Sequence, residues 1–135
     1  MTNDNVNENI HAELERAGQA LAAAVLLADH GYINDAVSRL YYVVLYHVRA
    51  LLLTKALEPR SHEGALRLLG LHFVRVGIID KKSAQIFSKL MKFREEADYN
   101  PSMMFSEDDF RGYLHEAEEV ASEIKDYILG ENRGK

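Results

Sequence analysis

The sequence contains no cysteine. This absence excludes disulfide bonds, thiolate nucleophiles and zinc or iron–sulfur sites held by cysteine, and it fits the reducing cytoplasm. Long apolar runs are also lacking, since the stretch from Ala20 to Ala28 is too short to span a bilayer. The first residues, Met1 to Asn5, are polar and carry no basic flank, so we expect no signal peptide. The sequence therefore predicts a cytoplasmic protein without a membrane anchor.

Basic residues are also fewer than acidic residues. The chain has 16 Lys and Arg against 21 Asp and Glu, a formal net charge of −5. Because phosphate binding draws its affinity from clustered Lys and Arg, this balance argues against a broadly basic surface, while a small local basic patch stays open. The eight glycines are scattered and none directly precedes a Lys-Ser or Lys-Thr pair. The phosphate-binding loop of an autonomous nucleotide hydrolase is therefore not predicted.

Helical periodicity accounts for most of the chain. Its 135 residues, of which 47% are hydrophobic, suit one domain with one core. Apolar residues recur at helical spacing, without a strand-like alternation of useful length. The predicted helices cover 6–30, 35 to about 57, 62 to about 76, 81 to about 97, and a last stretch between Ser106 and Gly130. The sequence predicts an all-α domain over residues 1–135, an up-and-down bundle of four main helices and one shorter helix, with 131–135 as a frayed tail.

Polar residues and glycines mark the expected helix ends. A side-chain oxygen at the N-cap accepts from the free N–H groups of the first turn, and glycine suits the left-handed position after the last turn. The expected N-caps are Asn34, Ser61 and Asp80. The expected C-terminal glycines are Gly31, Gly77 and Gly130. Ser106 and Asp109 resemble a capping box, although Asp is shorter than the preferred Glu or Gln.

The second helix is apolar around most of its circumference. Its middle, Leu40 to Tyr46, contains three tyrosines among aliphatic residues, which a one-sided surface helix does not need. We therefore expect it to be the central helix. Either the other helices of the same chain cover it, or a second subunit covers part of it.

Four segments carry a resemblance to a known family: Ser38 to Tyr42, His62 to Gly64, Phe73 to Ile79, and Arg94 to Tyr99. In this order they resemble the HEPN superfamily, most closely its UPF0332 branch of small helical proteins, over about Ala12 to Tyr127. The resemblance implies a helical bundle that pairs through its central helices and is often encoded beside a minimal nucleotidyltransferase. Many members are metal-independent ribonucleases.

The resemblance also implies a catalytic arginine, usually followed by a polar residue, with a histidine several positions later, and the two protomers bring these groups together. Arg94 stands at the arginine position, yet residues 95–102 contain no histidine. RNA cleavage through the 2′-hydroxyl needs a group that exchanges protons near neutral pH. Asp98, Tyr99 or a His62 supplied from another helix could take that role. For Asp98, burial would raise the pKa and the neighbouring Arg94 would lower it, and sequence does not rank the two effects.

Each of these residues also has an ordinary structural interpretation. Arg94 and Asp98 are four apart and can form an i, i+4 ion pair worth a few tenths of a kcal/mol. His62 lies in the first turn of a predicted helix, where the helix dipole favours the neutral ring.

Three tyrosines of the central helix can either pack in the core or at a dimer seam, with their hydroxyls hydrogen-bonded, or stack on a base. They are Tyr41, Tyr42 and Tyr46. The candidate binding residues are Arg39, Tyr42, Arg49 and Glu95, with the arginines facing phosphate or solvent.

Metal ligands are sparse. Glu8 and His11 have the Glu-x-x-His spacing of carboxylate-bridged di-metal bundles, but those sites use the spacing on two helices and this sequence contains it once. We predict neither a metal site nor a cofactor.

Two functional hypotheses follow. The first is a HEPN-like homodimer of a toxin–antitoxin or defence system that pairs with a nucleotidyltransferase and binds RNA or a nucleotide at a dimer cleft without strong catalysis. The alternative is a metal-independent ribonuclease toxin that uses Arg94 with Asp98, Tyr99 or His62.

Overall fold

The computed structural model describes residues 3–133, and this part of the chain is all-α without strands. The helices are α1 (Asn3–Asp29), α2 (Ile33–Leu53), α3 (His62–Leu69), α4 (Lys81–Tyr99) and α5 (Glu107–Arg133). A π-helical turn, Gly70–Val74, follows α3 directly. The predicted class is confirmed, with four long helices and one short helix.

Helix α2 runs through the centre of the bundle. Helices α1, α4 and α5 all pack against it, and α3 contacts it as well. Its apolar side chains are buried: Ala36, Val37, Leu40, Tyr41, Val43, Val44, Leu45, Val48 and Ala50 to Leu53. Although α2 is long and apolar enough to cross a membrane, most of it is buried inside the bundle. The chain itself therefore covers the central helix, and no second subunit is needed to bury its apolar residues.

One strip of α2 remains partly exposed beyond the first turn. The half-buried residues there are Arg39, Tyr42, Tyr46 and Arg49. Their spacing of three, four and three residues places them on one side of the helix. We call these four residues the tyrosine–arginine face.

Local capping follows the sequence closely at two helix starts. The Ser61 hydroxyl accepts from the Gly64 N–H at 2.9 Å, and the Asp80 carboxylate accepts from the Lys82 N–H at 2.8 Å. Both N-cap predictions are thus confirmed.

The start of α5 and two loop glycines also agree with the sequence predictions. Ser106 and Asp109 form a complete capping box, since the Ser106 N–H donates to the Asp109 carboxylate at 2.9 Å and the Asp109 N–H to the Ser106 hydroxyl at 3.0 Å. The shorter Asp side chain therefore does reach back. Gly31 and Gly77 adopt φ of 85° and 81°, the left-handed region that glycine enters without steric cost.

Asn34 is not an N-cap. Helix α2 already begins at Ile33, and no side chain caps it. The Asn34 amide instead donates to the Met103 carbonyl at 2.7 Å and accepts from the Phe105 N–H at 3.0 Å. Its side chain is thus used in a tertiary contact that the local pattern does not reveal.

Three predicted helix ends are wrong. Helix α2 ends at Leu53 rather than near residue 57. Ala56 then turns the chain with a φ of 57°. The third helix is α-helical only to Leu69, after which the π-helical turn places Phe73 in the core. Helix α5 continues past Gly130 to Arg133, so 131–133 are helical, and 134–135 lie outside the described residues.

A buried histidine makes the stability of this fold depend on pH. His47 on α2 is 3% exposed, its Nδ1–H donates to the Val43 carbonyl at 2.7 Å, and its Nε2 has no partner. Burial lowers the pKa of His47; the bond to Val43 opposes this, and the charge of Lys125 adds to the lowering. The folded protein therefore holds this ring neutral, whereas the unfolded chain takes up its proton near pH ~6.5.

We expect the free energy of unfolding to fall as the pH drops below ~6.5, because the unfolded state then binds a proton that the folded state refuses. In His47→Leu, urea unfolding should show a smaller loss of stability between about pH 7.5 and about pH 5.5. His11→Gln, at an exposed position, should keep the loss seen in the native sequence. An equal loss in all three proteins would contradict this account.

Candidate functional site

Arg94 lies on α4 with its guanidinium against two tyrosine rings of α2. The guanidinium carbon is 5.3 Å from the centre of the Tyr41 ring and 6.0 Å from that of Tyr42. Its Nη1 is 3.5 Å from the Tyr42 hydroxyl, and its Nε is buried without a partner. The side chain is only 17% exposed. A guanidinium has five N–H donors, so this one is held by ring faces and keeps donors for a ligand.

Asp98 is the anionic neighbour of Arg94. The two side chains are one helical turn apart, and Nη1 of Arg94 is 3.7 Å from Oδ2 of Asp98. The other carboxylate oxygen accepts from the Ser38 hydroxyl at 3.4 Å. Both contacts are long, so Asp98 ties the end of α4 to α2 without fully satisfying the guanidinium.

His62 reaches the same place from α3. Its Nδ1 is hydrogen-bonded to the Tyr41 hydroxyl, and the two rings stack with centres 5.4 Å apart. Tyr41 is fully buried and also stacks on Phe87. Of the alternatives left open for Tyr41, the structure shows the core position with a hydrogen-bonded hydroxyl, and this polar end forms part of the candidate site.

Burial and charge set the protonation of this pair. Burial raises the pKa of Tyr41 despite the opposing effect of Arg94, so its hydroxyl keeps its proton. Burial also lowers the pKa of His62, and the positive charge of Arg94 lowers it further. The expected neutral His62 thus has causes other than the helix dipole.

The tyrosine–arginine face extends this site along α2. The guanidinium carbon of Arg39 is 4.6 Å from the centre of the Tyr42 ring, and that of Arg16 on α1 is 5.3 Å from the centre of the Tyr46 ring. The Nε of Arg39 is buried without a partner. Arg49 differs, since its Nε is 3.4 Å from Oε2 of Glu13. Several arginines therefore share one side of an acidic chain, and Arg39 has no ion pair among the described residues.

The remaining candidates lie further out. Tyr99 is 77% exposed, and Glu95 is exposed too. Both line a shallow pocket of about 450 Å³ with Arg94, Glu96 and Asn100. Of the predicted residues, His62, Tyr42 and Arg94 contact Tyr41. Arg39 contacts Tyr42, and Asp98 lies beside Arg94.

No group of three or more potential metal ligands occurs among residues whose positions are described. His11 faces Glu15 at 3.9 Å, one helical turn away.

Comparison with known proteins identifies the family. The model of the HEPN domain matches residues 10–127. The chain belongs to the HEPN domain family. Two proteins of Methanocaldococcus jannaschii, both named "Putative toxin", are 35% identical over 125 residues (93% of this chain, 92% of theirs) and 29% identical over 119 residues (88% and 81%). A UPF0332 protein of Thermotoga maritima is 31% identical over 113 residues (84% and 86%).

Asn34 fixes the segment that leaves α4 beside this site. Its two bonds hold the backbone of Met103 and Phe105. In Asn34→Ala, we expect a loss of about 1–3 kcal/mol in the free energy of unfolding and faster hydrogen exchange of the Phe105 amide. Asn9→Ala, at an exposed position of α1, is the matched control. Exchange in the 100–106 segment that stays as slow as in the native sequence would show that other contacts hold it.

Proposed function

We propose that this HEPN domain is the toxin-type member of a toxin–antitoxin or defence system and that it binds RNA or a nucleotide at Arg94 and the tyrosine–arginine face. The names of its Methanocaldococcus relatives support the toxin context. The observation that carries the binding proposal is the pairing of arginine and tyrosine side chains on one side of a chain with net charge −5.

The chemistry of these side chains suits single-stranded RNA. Arginine presents a planar fork of donors to phosphate oxygens, and the guanidinium groups of Arg94 and Arg39 pack on tyrosine rings, with a long 3.7 Å contact to Asp98 as the ion pair of Arg94. Tyrosine rings stack on bases without requiring a particular sequence, and Tyr42 and Tyr46 are half-buried on the outward strip of α2. Phosphate and base contacts are thus available a short distance apart.

We propose further that two copies pair beside this strip in the cytoplasm, so that the tyrosine–arginine faces and both Arg94 side chains border one cleft that stays open to RNA, and that a nucleotidyltransferase is the partner protein. The apolar residues of α2 are already buried within one chain, so the residues of α2 that border this cleft are its tyrosines and arginines. Light scattering at micromolar concentration should give the mass of a dimer, and a monomer throughout would remove the shared cleft.

The binding proposal predicts that Arg39→Ala and Tyr42→Ala weaken the binding of a fluorescent single-stranded RNA of about 12 nucleotides by several-fold, because each loses a phosphate or stacking contact. Fluorescence anisotropy over a series of salt concentrations measures this change. For Arg39→Ala, the slope of log affinity against log salt should also fall by about one unit.

Arg111→Ala is the matched control, because it removes the same charge from α5, where Glu107 and Asp108 already pair with Arg111. Its RNA affinity should equal that of the native sequence. The binding proposal fails if Arg39→Ala and Arg111→Ala change the affinity equally.

A ribonuclease is the second candidate, favoured by one observation: His62 and Arg94 both contact Tyr41. Arg94 would stabilise the charge of the phosphorane, and His62 would move protons. Asp98 reaches α2 through a 3.4 Å contact with Ser38 rather than through Tyr41, and Tyr99 is exposed, so both have weaker support than His62 as proton-transfer groups.

RNA cleavage in the presence of a chelator separates the two candidates. We expect negligible and equal cleavage by the native sequence and by Arg94→Ala, because residues 95–102 lack the family's histidine. Chelator-resistant cleavage that disappears in Arg94→Ala would instead establish the ribonuclease.

A further inference from the structure

The hydroxyl hydrogen of Tyr41 needs an acceptor inside the bundle. Tyr41 is fully buried, and its hydroxyl is bonded to Nδ1 of His62. The Tyr41 ring also contacts the guanidinium of Arg94 and the rings of Tyr42 and Phe87, and within residues 3–133 the hydroxyl forms its hydrogen bond to His62 alone. A guanidinium accepts no hydrogen bond, and leaving the hydroxyl donor unpaired would cost about 1–3 kcal/mol. Tyr41 is therefore the donor and His62 Nδ1 the acceptor.

This direction fixes the tautomer of His62. A neutral imidazole carries one proton, so a ring that accepts at Nδ1 carries its proton on Nε2. Among residues 3–133, the His62 ring is hydrogen-bonded through Nδ1 to Tyr41 and forms no hydrogen bond through Nε2. The ring is half-buried at the start of α3. His62 thus presents an Nε2–H donor, and both His62 and the guanidinium of Arg94 contact Tyr41.

Some of the charges around His62 lower its pKa and others raise it. Burial is the largest cause of its lowered pKa and Arg94 the next, and Arg49 acts in the same direction. Glu63 and Glu95 oppose them with smaller effect. The buried Tyr41 hydroxyl stays protonated and adds no charge.

We propose that Tyr41 is a positioning residue that holds His62 as a neutral Nε2–H donor, and that His62 and Arg94 together form a subsite for a phosphate-bearing ligand. The tautomer stands on the geometry alone. The ligand class rests on the proposed function, in which phosphate is the group that Arg94 recognises.

The tautomer bears on the choice between binding and cleavage. A general base needs a free lone pair, and Nε2 of this tautomer carries a proton instead. A neutral imidazole N–H is also a weak acid at physiological pH, unlike the imidazolium that serves as general acid. His62 held in this way contributes a hydrogen bond to an anion without exchanging protons.

Long-range ¹H–¹⁵N spectra of histidine-labelled protein test the tautomer directly. His62, assigned by the signals that disappear in His62→Gln, should show the Nε2–H pattern near neutral pH. In Tyr41→Phe it should become a mixture of tautomers, because Nδ1 loses its donor. His47 is the internal control for folding, since its bond to the Val43 carbonyl requires the Nδ1–H pattern in both proteins. A His62 that is doubly protonated or Nδ1–H near neutral pH would overturn the proposal, as would an unchanged His62 in Tyr41→Phe.

Titration with inorganic phosphate, against chloride at equal ionic strength, tests the ligand. We expect a saturable shift of the His62 Nε2–H signal, about ten-fold weaker phosphate binding in His62→Ala, and recovery in His62→Gln, whose amide restores a donor. If phosphate caused no shift of the His62 Nε2–H signal, the subsite proposal would be overturned, whereas the tautomer assignment would remain. If Arg39→Ala and Tyr42→Ala left the RNA affinity unchanged while the phosphate shift persisted, the proposed function would fail and the subsite would stand.

Discussion

The burial of α2 on every side but one determines the rest of this structure. Its aliphatic residues are covered by α1, α4 and α5, and full burial of each such side chain is worth about 1.5–3 kcal/mol. Beyond the first turn, only the tyrosine–arginine face reaches solvent. Tyr41 connects the two regions, because its ring lies in the core while its hydroxyl meets His62. The candidate site is therefore built directly on the core, so that packing and chemistry are coupled.

The parts of the fold that depend on neighbouring residues could be predicted from sequence. Ser61 and Asp80 cap helices through backbone groups two or three residues away, and the apolar content of α2 indicated its central position. Asn34 shows where local patterns fail, since its side-chain amide forms hydrogen bonds with the backbone of a segment about seventy residues later. The π-helical turn likewise depends on where Phe73 lies in the packed bundle.

The same division holds for the candidate site. Arg94, Asp98 and His62 could be singled out because they lie in segments that resemble a family, but their meeting around Tyr41 required the packing of α3 and α4 against α2. Arg16 gave no signal in the sequence, because the side of α1 that faces Tyr46 depends on how the two helices pack. Composition left open whether helices of the same chain or a second subunit cover α2, and the structure shows that α1, α4 and α5 bury its apolar residues.

The central claim is that nucleic acid lies on the outward strip of α2 beside Arg94. Photo-crosslinking with 4-thiouridine-labelled single-stranded RNA, followed by trypsin digestion and mass spectrometry, tests this most directly. Trypsin releases three of the four strip residues (Tyr42, Tyr46 and Arg49) in one peptide, Leu40 to Arg49, and the segment after Arg94 as another, Glu95 to Arg111. The account predicts cross-links in these two peptides. Cross-links confined to the peptides of α5 beyond Arg111 would contradict it.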